Sequence, residues 1–380
     1  MSSTTRKNNL MCRIPPLKSI KTTAIVLTFL LLMIPIETSN NEVINVSVAQ
    51  NQSVGCTIFN ISIGDTVFFG SNEDGTLPYE QMFISFVPPQ KVPKNFISPD
   101  QGGHIDIYGQ VFVGFIYNDI HYVEGGMNDK GLCFDVTHVP MESVEGPADG
   151  KAWNHPLGSS WNVLWVCSTV DDVIEWYQTH ELLENWNAQN HFCDAKGDAV
   201  VVAPSNGKLH FVDMGEDDYL ITTNFNRANV SSYLYDYPCW RYDTASEMLE
   251  KIKDEENLTV ETCRDILDAT EFERGIFKKF CTLYSTIYDP VNTEIYLYFR
   301  NDFETAVMFD LEEEYAKVDL ASTDNSLQFL LAHKTYLMQD FFPVRNHENY
   351  GVLVIILGLL GFGIIVLILF FRNHDSGVHH

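Results

Sequence analysis

The sequence predicts an α+β domain in which two sheets pack face to face with helices outside, followed by one transmembrane helix. Three observations carry this. Strand-like runs fall in two blocks, separated by a pair of helix-like segments over residues 245–272. The first two runs are joined by Gly64-Asp65, a two-residue turn that closes a tight hairpin. Residues 350–371 form an uncharged apolar run. As a helix it would rise about 31 Å, which matches a hydrocarbon core of about 30 Å.

The elements follow in order. Cys56-Thr57-Ile58-Phe59-Asn60-Ile61-Ser62-Ile63 pairs with Thr66-Val67-Phe68-Phe69-Gly70, which runs on into Ser71-Asn72-Glu73-Asp74. Residues 82–87 and 111–116 read as strands around a Pro-, Gly- and Asp-rich loop over 90–109. Gly125-Gly126 is expected to turn the chain into a strand at 131–136. Helical periodicity appears at 162–167 and again after Thr169, an N-cap with Asp171 and Asp172 in the first turn. Strands return at 199–202, 209–212 and 219–222. Thr259 caps the second helix of 245–272, and strands at 282–288, 294–299 and 305–310 close the pattern. Residues 312–349 read as a charged extension, helical near 327–337.

The chain has 380 residues, with 24 Lys and Arg against 51 Asp and Glu, a formal net charge of −27. That excludes a nucleic-acid surface, which needs excess basic charge, and adhesion to anionic lipid through a basic patch. It suits an acidic extracytoplasmic surface. Arg6, Lys7, Arg13, Lys18 and Lys21 precede an apolar run at 24–36, the pattern of a signal peptide. As a helix that run spans about 20 Å, short for a membrane crossing; an uncleaved signal anchor is the other reading. Tyr350 and Arg372 edge the C-terminal run as interfacial anchors do. Of eight cysteines, Cys12 falls in the N-terminal basic stretch. The other seven are an odd set, so one stays free if the rest bridge, and Cys56 is the natural one. Burial of several as small apolar residues is equally compatible. Sequons occur at Asn45, Asn51, Asn60, Asn229 and Asn257, and the hairpin position of Asn60 argues against modification there. No metal-ligand spacing is present, so no metal and no cofactor are expected.

The hairpin register carries the chemistry. With Ile63 facing Thr66, Cys56 comes opposite Glu73, flanked by Asn72 and Asp74. Directly opposed residues lie about 4.5–5.5 Å apart, so a thiol meets carboxylates at one end of the hairpin. Cleavage before Cys56 would add its free α-amino group, which is the arrangement of an N-terminal nucleophile hydrolase. The thiol and the amine have closely matched ordinary pKa values, so proton transfer between them is easy near neutral pH. Gly55 tolerates the strained backbone that self-cleavage needs.

Gly55-Cys56-Thr57 and Phe69-Gly70-Ser71-Asn72-Glu73-Asp74 resemble the start of the choloylglycine hydrolase group. That group includes bile salt hydrolases, penicillin V acylases and related linear-amide hydrolases, with acid ceramidase more distant. The resemblance continues through Gly125-Gly126-Met127-Asn128-Asp129-Lys130-Gly131-Leu132, Thr222-Thr223-Asn224 and Cys239-Trp240-Arg241-Tyr242, and covers roughly residues 55–310. It implies a four-layer αββα N-terminal nucleophile sandwich. It further implies Cys56 as nucleophile, Asp74 holding the amine and thiol, Asn224 donating to the oxyanion, and Arg241 near the nucleophile. Two positions depart from the pattern. Ser71 stands where bile salt and penicillin acylases often carry arginine. A second family asparagine aligns near Thr137-His138, where the His138 ring would donate instead or serve structure only.

The resulting organisation is a signal peptide at 1–39, a self-cleaved pro-segment at 40–55, a hydrolase domain at 56–311, an extension at 312–349, a transmembrane helix at 350–371 and a cytoplasmic tail at 372–380. The expected protein is single-pass, with its catalytic domain extracellular or luminal. It would cleave a small-molecule linear amide, such as an N-acyl amino acid, a bile-salt-like conjugate or an acyl amide, through a thioester. It would bind no nucleic acid and would meet the membrane through its C-terminal helix; homo-oligomerisation is left open. An acyltransferase of the same family and an inactive ligand- or partner-binding ectodomain are the competing readings.

Overall fold

Gly64, at φ +63°, takes the left-handed position that a two-residue hairpin turn requires. Around it β1 (Thr57–Ile63) and β2 (Thr66–Thr76) pair with Ile63 opposite Thr66 and Thr57 opposite Asn72. This is the register that the turn predicts. The computed structural model describes residues 56–76, 81–98, 102–117, 120–153, 159–182, 185–230, 239–274, 280–320 and 333–342. The chain divides into two units, Met1–Gln52 and Ser53–His380, and all described residues lie in the second.

The order continues with β3 (Gln81–Val87), β4 (Gln90–Pro93), β5 (His104–Ile107), β6 (Gln110–Tyr117), β7 (Ile120–Asn128) and β8 (Cys133–Ser143). Helices α1 (Ser159–Val166) and α2 (Val170–Thr179) follow, then β9 (Asn185–Cys193), β10 (Ala199–Ser205), β11 (Lys208–Asp213) and β12 (Tyr219–Thr222). The last part holds α3 (Trp240–Leu249), α4 (Val260–Ala269), β13 (Glu273–Arg274), β14 (Phe280–Asp289), β15 (Glu294–Phe299), β16 (Asp302–Asp310), α5 (Leu311–Tyr315) and β17 (Lys334–Leu337). One sheet runs β12-β1-β2-β14-β15-β16, with β13 beside β14. The other runs β11-β10-β9-β8-β7-β6-β3-β17, and β4 and β5 form a separate small pair.

Strand alternation sorts the side chains into three apolar layers. Between the sheets, Ile58, Phe69, Tyr288 and Leu297 meet Ile84, Val113 and Val201. Outside the second sheet, Trp161 and Trp165 of α1 and Trp176 of α2 cover Phe112, Phe134 and Phe192. Outside the first, Ala245 and Leu249 of α3 and Cys263 and Ile266 of α4 cover Phe59, Ile61 and Ile287. Capping boxes at Thr169 and Thr259 start α2 and α4, as the sequence leads one to expect.

Several elements differ from the sequence reading. Gly125-Gly126 does not turn the chain but lies within β7. A Cβ on Gly126 would collide with the Val111 carbonyl, so glycine is needed there for close strand approach. The turn falls instead at Asp129-Lys130-Gly131, with Gly131 at φ +78°. β9 has no clean alternation, because its second half is buried on both faces. The 90–109 loop contains β4 and β5. The 312–349 extension contributes β17, which pairs with β3, so the folded domain runs past residue 311. Cys56, Cys133, Cys167, Cys193, Cys239, Cys263 and Cys281 are all buried free thiols rather than bridged pairs. Asn60 is buried, which removes it as a modification site. The runs at 24–36 and 350–371, the pro-segment and Asn45 and Asn51 lie outside the described residues. Among the described residues no helix is long and apolar enough to cross a membrane.

Candidate active site

The hairpin places Cys56, at the start of β1, one step beyond the Thr57–Asn72 pair and therefore level with Glu73. The Cys56 thiol donates to Glu73 Oε2 at 3.4 Å, in a buried contact. On the other side β1 pairs with β12, Ile58 opposite Thr222. Two residues further, Asn224 comes level with Cys56. One strand end thus carries the thiol between a carboxylate and a side-chain amide.

Arg241 ties these parts together. It is in the first turn of α3 and is buried, not exposed as a helix-start arginine would ordinarily be. Its Nη1 donates to the Cys56 carbonyl at 2.7 Å, to Asp74 Oδ2 at 3.3 Å and to Thr57 Oγ1 at 3.4 Å. Its Nη2 donates to Asn224 Oδ1 at 3.0 Å. Holding that oxygen fixes the amide orientation, so Asn224 Nδ2 points away from Arg241 and donates to the His138 carbonyl at 3.3 Å. An amide nitrogen has two hydrogens, and the second remains for a ligand oxygen. Thr282 Oγ1 donates to Asp74 Oδ1 at 2.7 Å, so both Asp74 oxygens are held.

Burial governs the protonation states. It pushes the Cys56 thiol well up, and the nearby charges of Glu73 and Asp74 push it further, while the Asp74 backbone N–H opposes them. Burial also raises Glu73 well above the carboxylate range, with Glu124, Asp135 and Asp74 adding to it. Asp74 rises to about 7 because burial outweighs the pull of Arg241 and Thr282. With residues ahead of Cys56 still attached, the thiol is therefore held neutral.

Of the residues singled out from sequence, the structure brings Cys56, Asp74, Asn224 and Arg241 into one cluster. It does not bring in the His138 ring. His138 is exposed on β8, and only its backbone carbonyl meets the cluster. Thr137, one residue earlier, is the buried neighbour. A one-residue shift along a strand exchanges faces, which is why the histidine reading fails.

Gln189, which had no sequence signal, and Asn72, which stands in the motif before Glu73, support the cluster. Gln189 of β9 donates to the Thr223 and Phe225 carbonyls, both at 2.8 Å, and accepts from Arg227 N at 2.9 Å. It clamps the turn that presents Asn224. Asn72 donates to the Leu267 carbonyl at 2.8 Å and accepts from Ser285 Oγ at 2.6 Å, anchoring α4 against β2. Among the described residues no group of His, Cys, Asp and Glu is arranged to hold a metal ion.

Residues 56–224 match the family described as linear amide C-N hydrolases, choloylglycine hydrolase family. Among solved structures, a variant of conjugated bile acid hydrolase from Clostridium perfringens is similar at 16% identity and a TM-score of 0.51. The match covers 77% of this chain and 100% of that one, and it shows the shared fold. Penicillin V acylase from Agrobacterium tumefaciens is similar at 14% identity and a TM-score of 0.48, over 64% of this chain and 82% of that one. An N-acylethanolamine-hydrolyzing acid amidase ortholog from Caenorhabditis elegans is similar at 12% identity and a TM-score of 0.40, over 62% and 93%. No curated protein sequence matches the chain.

Proposed function

We propose, from the premise that residues 56–224 make this chain a linear amide C–N hydrolase of the choloylglycine hydrolase family, that Cys56 is its nucleophile once the chain is cut before it. The observation that carries the reading is the convergence of Arg241 on the Cys56 carbonyl, Asp74 and Asn224. It ties the start of β1, the carboxylate and the amide donor into one buried unit.

The freed α-amine of Cys56 takes the thiol proton, and the sulfur attacks the amide carbonyl. The oxyanion accepts from the second hydrogen of Asn224 Nδ2. The α-ammonium then protonates the leaving amine, and the C–N bond breaks to give a thioester. Water, deprotonated by the same amine, attacks the thioester, and collapse returns the thiol and releases a carboxylic acid. Asp74 accepts from the α-ammonium, and Arg241 positions Asp74 and Asn224. Cleavage changes the electrostatics as well, since a new cation beside Cys56 opposes the carboxylates that hold its thiol neutral.

The domain sits outside the cytoplasm, carried by a signal peptide at the N-terminus and anchored by a helix over residues 350–371. The N-terminal basic-then-apolar pattern and the uncharged C-terminal run support this.

N-terminal sequencing and intact mass test the mechanism. The active protein is expected to begin at Cys56, and Cys56→Ala to block cleavage and amide hydrolysis together. An active enzyme that retains Gly55 would remove the α-amine from the mechanism.

A further inference from the structure

A second group of polar side chains faces Cys56 from the space between the sheets. Ser71 and Glu73 alternate with Phe69 on the inner face of β2, and Tyr284 lies opposite Glu73 on β14. Across the gap, Asp135 alternates with Cys133 on the inner face of β8. Gly125 pairs with Asp135, and a Cβ there would collide with Asp135 Oδ2, so this glycine leaves room for the carboxylate. Glu124 occupies a bulge: Val113 pairs with Gly125 and Gly114 with Val123, which leaves Glu124 between them. Bulges re-aim side chains, and Glu124 is the strongest charged influence on Glu73.

Three buried polar atoms here have no hydrogen-bond partner. Asp135 Oδ1 accepts from Val136 N at 2.8 Å, but Asp135 Oδ2 has no hydrogen-bond partner. Ser71 Oγ and Tyr284 OH, both buried, also have none. Ser71 faces Asp135 closely enough to favour its charged form, yet completes no hydrogen bond of ordinary geometry. Burial raises both Glu73 and Asp135, and the main charged influences on them are other carboxylates. Arg241 is buried with Asp74 on the hairpin side. Buried polar atoms without partners are costly, and three of them beside buried carboxylates describe a place made for a ligand with donors and positive charge.

We propose that the cluster of Glu73, Glu124, Asp135, Ser71 and Tyr284 binds a cationic group of the substrate, an ammonium or guanidinium, next to Cys56. This rests on the reading of Cys56 as an amidase nucleophile and names its substrate class as amides that carry a basic group. The α-ammonium freed at Cys56 belongs to the hairpin side, beside Asp74; Asp135 lies on the opposite sheet. A substrate donor there would satisfy Asp135 Oδ2. It would also place a positive charge beside the thiol, so the right substrate would itself favour the thiolate.

The test uses the processed enzyme. Two pairs of amides are compared, matched in length: one pair differs in a terminal ammonium or hydroxyl on the amine side, the other in the same groups on the acyl side. At least one ammonium member is expected to have a kcat/KM about tenfold or more above its neutral partner, as for a charged hydrogen bond gained. Asp135→Asn and, independently, Glu124→Gln are expected to shrink that ratio severalfold, chiefly through KM. A second arm needs no turnover: butane-1,4-diamine is expected to raise Tm above butane-1,4-diol at equal ionic strength, and Asp135→Asn to lose the shift. Turnover of neutral amides with no cationic preference in either pair overturns the cation site and leaves the amidase reading standing. If no amide is cleaved, the diamine decides: a Tm shift lost in Asp135→Asn keeps the site without the amidase reading. Without such a shift the site falls too.

Discussion

Replacing Arg241 by Met tests the connection on which the site depends. Cys56→Ala is used as background, so that the chain stays uncleaved and the described state is the one measured. Removing the guanidinium leaves two buried acceptors without donors: the Cys56 carbonyl, reached at 2.7 Å, and Asn224 Oδ1, reached at 3.0 Å. Each orphaned acceptor costs about 1–3 kcal/mol, which gives about 4 kcal/mol for the two. Asp74 adds a pH-dependent part. Its pKa is already about 7 with Arg241 present, so near neutrality it escapes the full cost of an unpaired charge by taking a proton. A carboxyl raised in the folded state contributes stability that is fully present below its unfolded value and lost as pH rises through the folded one. For Asp74 that window runs from 3.8 to about 7. Without Arg241 the folded value moves higher still, and the loss extends further into the alkaline range. Urea unfolding of the two proteins is expected to show a difference of about 4 kcal/mol near pH 5.5 and a larger one near pH 8.5. A difference below about 1 kcal/mol, or one identical at the two pH values, would refute the assignment of Arg241 as the buried partner of these groups.

Asn224→Ala is expected to lower kcat by about 10²–10³ with KM nearly unchanged; steady-state kinetics on the processed enzyme would show otherwise if Asn224 served binding alone. Thr259→Ala removes the side-chain cap on Thr262 N and is expected to cost about 1 kcal/mol in urea unfolding without altering KM. Protease added to intact cells should digest the folded domain and spare a tag placed after His380; protection of the domain would reverse the proposed topology.

What could be read from the sequence was set by local geometry. A two-residue turn fixes hairpin register, so the meeting of Cys56 with Glu73 follows from counting outward from Gly64-Asp65, and the thiol contact lies where the count puts it. The capped helices announce themselves through Thr169 and Thr259 in the same way. Gly125-Gly126 misleads because glycine serves turns and close strand approach alike, and only the neighbouring Val111 carbonyl and Asp135 carboxylate decide between them. Thr137 and His138 differ by one residue, and the face each takes depends on a strand that the sequence reading ended too early, at residue 136 rather than Ser143.

The sequence could not reveal how the two sheets meet, because no local pattern specifies which residues face each other across a sandwich. Glu73 and Asp135 sit far apart in the chain on different sheets, and Glu124 reaches them through a bulge with no sequence mark. Among the described residues Arg241 is the only Lys or Arg that is buried, and it is engaged with Asp74. Among the described residues, Glu73 and Asp135 therefore have no buried Lys or Arg at their side of the thiol. Coulomb repulsion between buried carboxylates is strong in a low-dielectric interior, and it is relieved by protons or by an arriving positive charge. Protons keep the thiol neutral, whereas a bound cation stabilises its charged form. A site that ionises its nucleophile more readily when a basic substrate arrives would couple recognition to activation through the same three carboxylates.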